Sequence, residues 1–303
     1  MDTLESAIWL MKPGCFMAST CIDLKDVYYS VPVAKEDQKY LKFTFNGTLY
    51  KYTYVYQMGI FTKLLNPVYA WLRTQGHVNL GYIDDSYLHG DSCVECSNNV
   101  KATAFLFKRL GFHLDPTKSV IIPTQNLTFL GFKLDSRSMT VAPPDEKIHK
   151  TVEARKRLKT TTKPQISDVA EVIGLIVSNF PGVQFGPLHY RSLERNKTAA
   201  LFRNRGNYKC CMSLTMSSLE ELTWWIDNMP HSLRDISHAP PCMVIQTDAS
   251  TQVWGAGYGD QEVGWRWTPL ERTKHTCINI LDLQAAFFVL KSFCKQAPEG
   301  HIQ

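Results

Sequence analysis

Residues 78–89 read Val78-Asn79-Leu80-Gly81-Tyr82-Ile83-Asp84-Asp85-Ser86-Tyr87-Leu88-His89, and this stretch decides the fold. Strand-like segments, Val78 to Gly81 and Ser86 to His89, flank the tetrad Tyr-Ile-Asp-Asp. The pattern predicts a tight hairpin with two adjacent acids at its tip. Like charges held side by side repel, and carboxylates on an apolar hairpin need solvent or a cation. An ordinary Asp-Asp turn is the plainer alternative for the pair alone. A second acid in a similar setting is Asp23, in the run from Cys21 to Val33, CIDLKDVYYSVPV. Two carboxylate-bearing strands that converge on a divalent ion are what metal-assisted phosphoryl chemistry requires.

Working outward, the 303 residues suffice for roughly two domains. An apolar fraction of 44% predicts a globular chain with a substantial core. The net charge of +5 is compatible with a polyanionic partner but weak evidence for one. No apolar run approaches membrane-spanning length, and the acidic start MDTLESAIWLMKPG does not read as a signal peptide. The nine cysteines show no secreted disulfide spacing, which predicts a reduced, intracellular protein, cytoplasmic or nuclear. Cys93-x-x-Cys96 has no second well-spaced Cys/His pair, so plain thiols are expected rather than a zinc site.

Asn46-Gly47, flanked by alternating aromatic and β-branched residues, predicts a β-hairpin. A helix is expected over Phe61–Arg73, with Phe61, Leu64, Leu65, Val68, Tyr69 and Leu72 on one face. Pro67 should kink that helix or mark its first turn. Ser97 is expected to cap a helix ending at Leu110, stopped by Gly111. Further strands are expected in FHLDPTKSVII and LTFLGFKLD. After Pro143-Pro144 comes a basic helix, in which Lys147, Lys150, Arg155, Lys156, Arg157, Lys159 and Lys163 crowd a seam of Ile148, Val152 and Leu158. A solvated helix face explains such a charge run as well as a nucleic-acid contact does. Ser167 should start a helix burying Val169, Val172, Ile173, Ile176 and Val177. Ser217 and Glu220 form a capping box for another that buries Leu222, Trp225, Ile226 and Met229. Residues 180–212 are poor in pattern. Beyond Pro241 the chain returns to strands, one ending on Asp248, followed by a helix over Thr276–Lys295 that carries Asp282.

Together these motifs resemble a reverse transcriptase of the kind carried by retrotransposons with a tyrosine recombinase, the DIRS group. The resemblance covers nearly the whole chain. CIDLKDVYYSVPV is similar to the first palm motif and YIDD to the central one, which makes Asp23, Asp84 and Asp85 the catalytic, metal-binding carboxylates. The resemblance implies Mg²⁺ or Mn²⁺, with Asp23 and Asp84 bridging two ions, Asp85 in support and the Leu24 carbonyl as an extra ligand. It puts Tyr28 under the incoming sugar and Lys118 near the triphosphate. Phe129-Leu130-Gly131-Phe132 resembles the primer grip. Lys147, Lys150, Arg155, Lys156, Arg157 and Lys159 would follow the template–primer backbone.

The fold implied is α+β: a palm of antiparallel sheet with packed helices, a helical thumb and connection, and a truncated ribonuclease H-like α/β fragment. The corresponding boundaries are partial fingers and palm at 1–135, thumb and connection at 136–240, and the fragment at 241–303. The function implied is RNA-directed DNA polymerization, with an RNA template, a DNA primer and deoxynucleoside triphosphates as partners. No membrane is involved, and other retroelement proteins are candidate partners. The sequence departs from the family where most of the fingers would precede it. It departs again at Gly59–Phe61, where several residues of the expected motif are missing, and in ending before the later ribonuclease H acids. Asp248 and Asp282 match the first two ribonuclease H positions, Asp282 standing where a glutamate is usual, so ribonuclease H activity is expected to be absent. A catalytically impaired remnant that binds nucleic acid is the alternative. An unrelated metal-dependent nuclease would leave Tyr28, FLGF and the thumb-like helices unexplained.

Overall fold

The computed structural model describes residues 2–22, 32–54, 58–237, 243–274 and 277–294. The segments with Asp23, Leu24 and Tyr28 therefore lie outside the described residues. Contacts divide the chain into two compact units, residues 1–237 and 238–303.

The first unit begins with α1 (Leu4–Leu10), β1 (Phe16–Cys21), a hairpin of β2 (Lys42–Phe45) and β3 (Thr48–Lys51), and α2 (Met58–Thr74). It continues with β4 (Val78–Tyr82), β5 (Asp85–Gly90), α3 (Cys93–Arg109) and β6 (Val120–Thr124). Strands β4, β5, β1 and β6 form one antiparallel sheet in that order. Apolar side chains leave this sheet on both faces, which is why β1 and β5 are buried along nearly their whole length. Toward the helices, Ala18 and Leu88 meet Cys96 and Val100 of α3. At the end of the sheet near Ile22, Phe61, Leu65 and Tyr69 of α2 pack on Phe107. Toward the other face, Met17, Leu80 and Tyr87 meet α1 and a second sheet. Fully buried Met, Leu, Ile and Phe side chains among these, such as Met17, Leu88 and Phe107, contribute roughly 1.5–3 kcal/mol each.

The Asn46-Gly47 hairpin forms as expected: both residues have positive φ (+48° and +76°), as a type I′ turn requires. Helix α2 starts three residues before Phe61 and passes through Pro67, which is not in its first turn. Pro67 and Lys63, whose carbonyl loses its donor, lie on the exposed side where water can replace it. Leu64, expected on the buried face, is exposed. Ser97 lies inside α3. The cap is Ser92, in a reciprocal box with Glu95, a Ser-x-x-Glu spacing. Gly111 ends the helix at φ +86°, where Phe112 N–H donates to Phe107 O and Gly111 N–H to Lys108 O.

The chain then forms β7 (Asn126–Phe129), β8 (Phe132–Asp135) and β9 (Thr140–Ala142), followed by helices α4 (Asp145–Thr160), α5 (Ile166–Val177), α6 (Arg191–Arg203) and α7 (Met216–Asn228). It returns as β10 (Arg234–Asp235), which pairs with β9 to complete a second sheet, β10-β9-β8-β7. Arg234 makes a two-pronged ion pair with Glu5 of α1 (2.6 and 3.2 Å). The helices thus leave and re-enter one sheet, and the expected boundary at 135/136 falls in the β8–β9 turn.

The helices share a core of Val152, Leu158, Val169, Ile173, Ile176, Leu193, Leu222, Trp225 and Met229. Val177 is exposed and Ile226 only partly buried, contrary to expectation. The α5 cap is Gln165, paired with Asp168, and the α7 cap is Thr215, whose Oγ1 accepts from Ser218 N–H (3.3 Å). Residues 180–212, weak in pattern, hold α6 and two 3₁₀ turns. The buried face of α6 is short, Leu193, Asn196 and Ala200, and one of the three is polar.

The second unit has strands β11 (Gln246–Ala249), β12 (Val253–Tyr258) and β13 (Gln261–Arg266) in one antiparallel sheet, then α8 (Pro269–Lys274) and α9 (Ile278–Phe293). Trp267, Leu281 and Ala285 form its core with Ala249, Trp254 and Phe288. Among the described residues, no helix is long and apolar enough to cross a membrane.

Candidate metal centre at the β4–β5 turn

Tyr82 lies opposite Asp85, so Ile83 and Asp84 are the two central residues of the hairpin. Ile83 adopts φ +56°, a conformation unfavourable for a β-branched residue. Strain of this kind amounts to about 1–3 kcal/mol and persists only where the surroundings over-determine it. Here Ile83 packs against the Phe61, Leu65, Tyr69 and Phe107 cluster, while the Asp84 carbonyl accepts a hydrogen bond from Ile22 N–H (2.9 Å). The turn is therefore held from both sides, and its two acids are placed by the backbone rather than by their own contacts.

Cys21 pairs opposite Asp85 across β1 and β5. The Cys21 thiol and carboxylate oxygens of Asp84 and Asp85 lie within 4.8 Å of one another, a grouping able to hold a metal ion. Cys21 Sγ–H donates to Asp84 Oδ2 (3.6 Å). Burial, then the two carboxylates, push the thiol up to about 12, so at neutral pH it is a neutral neighbour. Burial also raises the Asp85 carboxyl; the hydrogen bond from Cys21 lowers it, the charge of Asp84 raises it, and Lys118 lowers it. Two half-buried acids of one sign, one of them resisting ionisation, fit a hard divalent cation, which accepts oxygen donors and removes their repulsion. Cys21 was not singled out by the sequence. Only the strand register brings it to the carboxylates. Asp23 follows Ile22, the residue hydrogen bonded to Asp84, but lies outside the described residues, as do Leu24 and Tyr28.

An expected result follows for Asp85→Asn. In chelator it should raise thermal stability by roughly 0.5–2 kcal/mol, the usual scale for relieving a functional-site conflict. Because the folded carboxyl titrates above its unfolded value of 3.8, the ionised form destabilises the fold at neutral pH. The gap between variant and wild type should therefore close as pH falls through the raised titration, and vanish below the unfolded value. Calorimetry at several pH values checks this; a gap that widens toward acid would contradict it.

Lys118 is exposed, with Nζ 3.7 Å from Asp115 Oδ2. Bonds from the Thr117 hydroxyl and N–H hold the Asp115 carboxyl below its usual range. Phe129 and Phe132 are buried partners at the end of the β7–β8 hairpin; only Leu130 and Gly131, at φ +46° and +74°, form its tip. Phe129 lies tilted against Tyr87, two residues after Asp85 (centroids 5.6 Å, planes 53° apart).

The basic helix α4 requires two corrections. Arg155 is fully buried: its guanidinium lies 4.6 Å over the Trp225 ring, and Nη1 donates to Met229 Sδ (3.3 Å). Its Nε and Nη2 have no partner, and burial lowers it to about 9. It cannot reach a backbone phosphate from the bundle core. Lys147 also turns inward, donating to the Ser178 carbonyl (2.9 Å) and lying 3.9 Å over the Phe132 ring; burial lowers it. Lys150, Arg157 and Lys159 are exposed, and Lys156 pairs with Glu153 (3.1 Å). In the second unit Asp248 and Asp282 are exposed. Among the described residues, neither joins a group of three ligating side chains.

Residues 12–134 match the family of the reverse transcriptase (RNA-dependent DNA polymerase) domain. No curated protein matches the chain. Among solved structures, it is similar to the foamy viral protease–reverse transcriptase dRH in complex with double-stranded DNA. The TM-score is 0.59 at 15% identity, covering 98% of this chain and 51% of that one. The same viral protein with an RNA/DNA hybrid gives 0.59 at 16% identity, covering 91% and 36%. Another complex with double-stranded DNA gives 0.57 at 16%, covering 97% and 60%. The fold is thus a mixed helical and antiparallel-sheet architecture like that of retroviral reverse transcriptases. The chain spans between 36% and 60% of the length of those proteins.

Proposed function

We propose that the chain is the RNA-directed DNA polymerase module of a DIRS-type retroelement, adding deoxynucleotides to a DNA primer paired with an RNA template. Residues 1–135 are read as partial fingers and palm, 136–240 as thumb and connection, and 241–303 as the N-terminal part of a ribonuclease H-like domain. Its place is intracellular, as the absence of a secreted disulfide spacing in the sequence led us to expect. The observation that carries the reading is the strained β4–β5 turn. It holds Asp84 and Asp85 beside the strand leading to Asp23, inside the segment that matches the polymerase family.

A pair of Mg²⁺ or Mn²⁺ ions, when bound, neutralises the triphosphate and activates the primer hydroxyl. Asp23 and Asp84 would hold them, with Asp85 in support and the Leu24 carbonyl as an additional donor. In this reading Lys118 would meet the triphosphate charge, Tyr28 would serve the sugar, and the Leu130-Gly131 tip would steady the primer. Positioning and electrostatics supply the catalysis.

A second reading, a remnant that binds nucleic acid without turnover, is favoured by one feature. Residues around Gly59–Phe61, where the resemblance expects a longer loop, are already part of α2. Primer extension on an RNA template with Mg²⁺ or Mn²⁺ separates the two. The polymerase reading expects extension that falls ~100-fold or more in Asp84→Asn, the scale of removing one electrostatic element of a site. Salt-sensitive template–primer binding with no extension by the wild type would establish the remnant instead.

A further inference from the structure

Beside the two acids of the β4–β5 turn stands a donor that an all-oxygen metal site lacks. Cys21 ends β1 with its thiol among the same carboxylates, and the residue is only 4% exposed. Backbone pairing puts it there. Cys21 lies opposite Asp85 in the β1–β5 ladder, and the next residue, Ile22, donates its N–H to the Asp84 carbonyl (2.9 Å). Asp84 and Asp85 are half-buried, so an ion can approach from the carboxylate side while the sulfur stays shielded. Among the described residues, no other cysteine joins such a group of ligating side chains.

Distances and donor chemistry identify the kind of ion. Cys21 Sγ lies 3.6 Å from Asp84 Oδ2. A tetrahedral zinc ion binds sulfur at about 2.3 Å and carboxylate oxygen at roughly 2.0–2.2 Å, which sets two such donors on one ion about 3.6 Å apart. Asp85 offers a third donor, and all three lie within 4.8 Å of one another. Three protein ligands with a fourth position left to water is the pattern of an open zinc site. Mg²⁺ takes oxygen donors and gains little from sulfur. A thiolate selects borderline and soft ions, of which Zn²⁺ is the commonest in proteins.

We infer that Cys21, Asp84 and Asp85 form a site for a thiophilic divalent cation of the Zn²⁺ class, with Cys21 as a direct sulfur ligand. The metal–sulfur bond forms as the thiol proton passes to solvent, and the ion takes the place of the Cys21–Asp84 hydrogen bond. No electrons are exchanged, since Zn²⁺ has no redox chemistry. The consequence for activity rests on the polymerase reading: Zn²⁺ held here excludes the Mg²⁺ or Mn²⁺ ion from the shared carboxylates, and Cys21 makes the centre sensitive to zinc.

The test is a titration of the full, reduced chain with Co²⁺, a spectroscopic stand-in for Zn²⁺ that shows a charge-transfer absorption when a thiolate binds it. The band should appear in the wild type, bleach on adding Zn²⁺ and persist when Mg²⁺ is added instead. Cys21→Ser should remove the band and weaken Zn²⁺ binding by about tenfold or more, because losing even a partner outside the coordination sphere costs roughly 10–100-fold. Cys93→Ser combined with Cys210→Ser and Cys211→Ser should keep the band. A wild type without the band overturns the site. So does a band that survives Cys21→Ser, or one that Mg²⁺ bleaches as readily as Zn²⁺. If Cys21→Ser does not fold, Asp84→Asn with Asp85→Asn decides on the wild-type thiol: the band should be lost, and its full retention puts the sulfur ligand elsewhere. Failure of the polymerase reading is seen separately, as absent primer extension with the Co²⁺ band intact, whereas extension without the band sinks the zinc site alone.

Discussion

Gly81→Ala is expected to disable the β4–β5 turn. A Cβ at position 81 would overlap the Tyr69 ring, reaching 2.7 Å from both Cδ2 and Cζ. Tyr69 cannot swing aside. It is buried, its Oη shares a 2.6 Å hydrogen bond with Ser86 Oγ, and its ring meets Phe107 edge to face at 5.9 Å. Overpacking of this kind destabilises by about 1–3 kcal/mol. The strain is relieved most easily by pushing β4 away from α2, and β4 leads directly into Tyr82-Ile83-Asp84-Asp85. Stability and metal binding should therefore fall together, seen as a lower melting temperature in chelator and a smaller rise on adding Mn²⁺. A smaller residue at position 69 makes room for the methyl group. Adding Tyr69→Leu to Gly81→Ala should therefore recover stability relative to Gly81→Ala alone, although Tyr69→Leu by itself destabilises. Additive losses would show that the two residues do not compete for the same space.

The same neighbourhood shows what the sequence could and could not reveal. Asn46-Gly47 specified its hairpin because both residues tolerate positive φ, and the YIDD hairpin followed from alternation on either side. Local chemistry of this sort is written in adjacent residues. Cys21 was invisible as a neighbour of Asp84 because its placement depends on the β1–β5 register, a pairing across sixty-four residues of chain. Ile83 gave no hint of its left-handed backbone, since an isoleucine there is tolerated only through tertiary support. Ser92 and Glu95 carry a capping box in their Ser-x-x-Glu spacing, one turn before Ser97, which lies inside the helix. Arg155 misled most, because seven cations in a short span conceal which one faces the core; only the packing of α4 on Trp225 and Met229 separates it from the rest.

That separation yields the second large effect. Replacing Lys150, Arg157 and Lys159 together by glutamine should weaken template–primer binding and flatten its salt dependence. Each lost phosphate contact removes about 0.9 from the slope of log affinity against log salt on B-form duplex, so three contacts remove roughly 2.7. Arg155→Met should leave the slope untouched. A buried cation with two unpartnered nitrogens is expensive to hold, and an apolar side chain of similar reach can keep the contact with Trp225 at no loss of stability or with a gain of about 1–4 kcal/mol. Arg155→Ala should instead destabilise, because the space over Trp225 is left unfilled. Titrations at several salt concentrations, paired with thermal unfolding, read both quantities at once. If Arg155→Met reduced the slope like the surface variants, the guanidinium would have to leave the core to meet a phosphate. If the triple variant kept the wild-type slope, the outward face of α4 would be a solvated face and nothing more, and the backbone contacts of the chain would have to be sought on another surface.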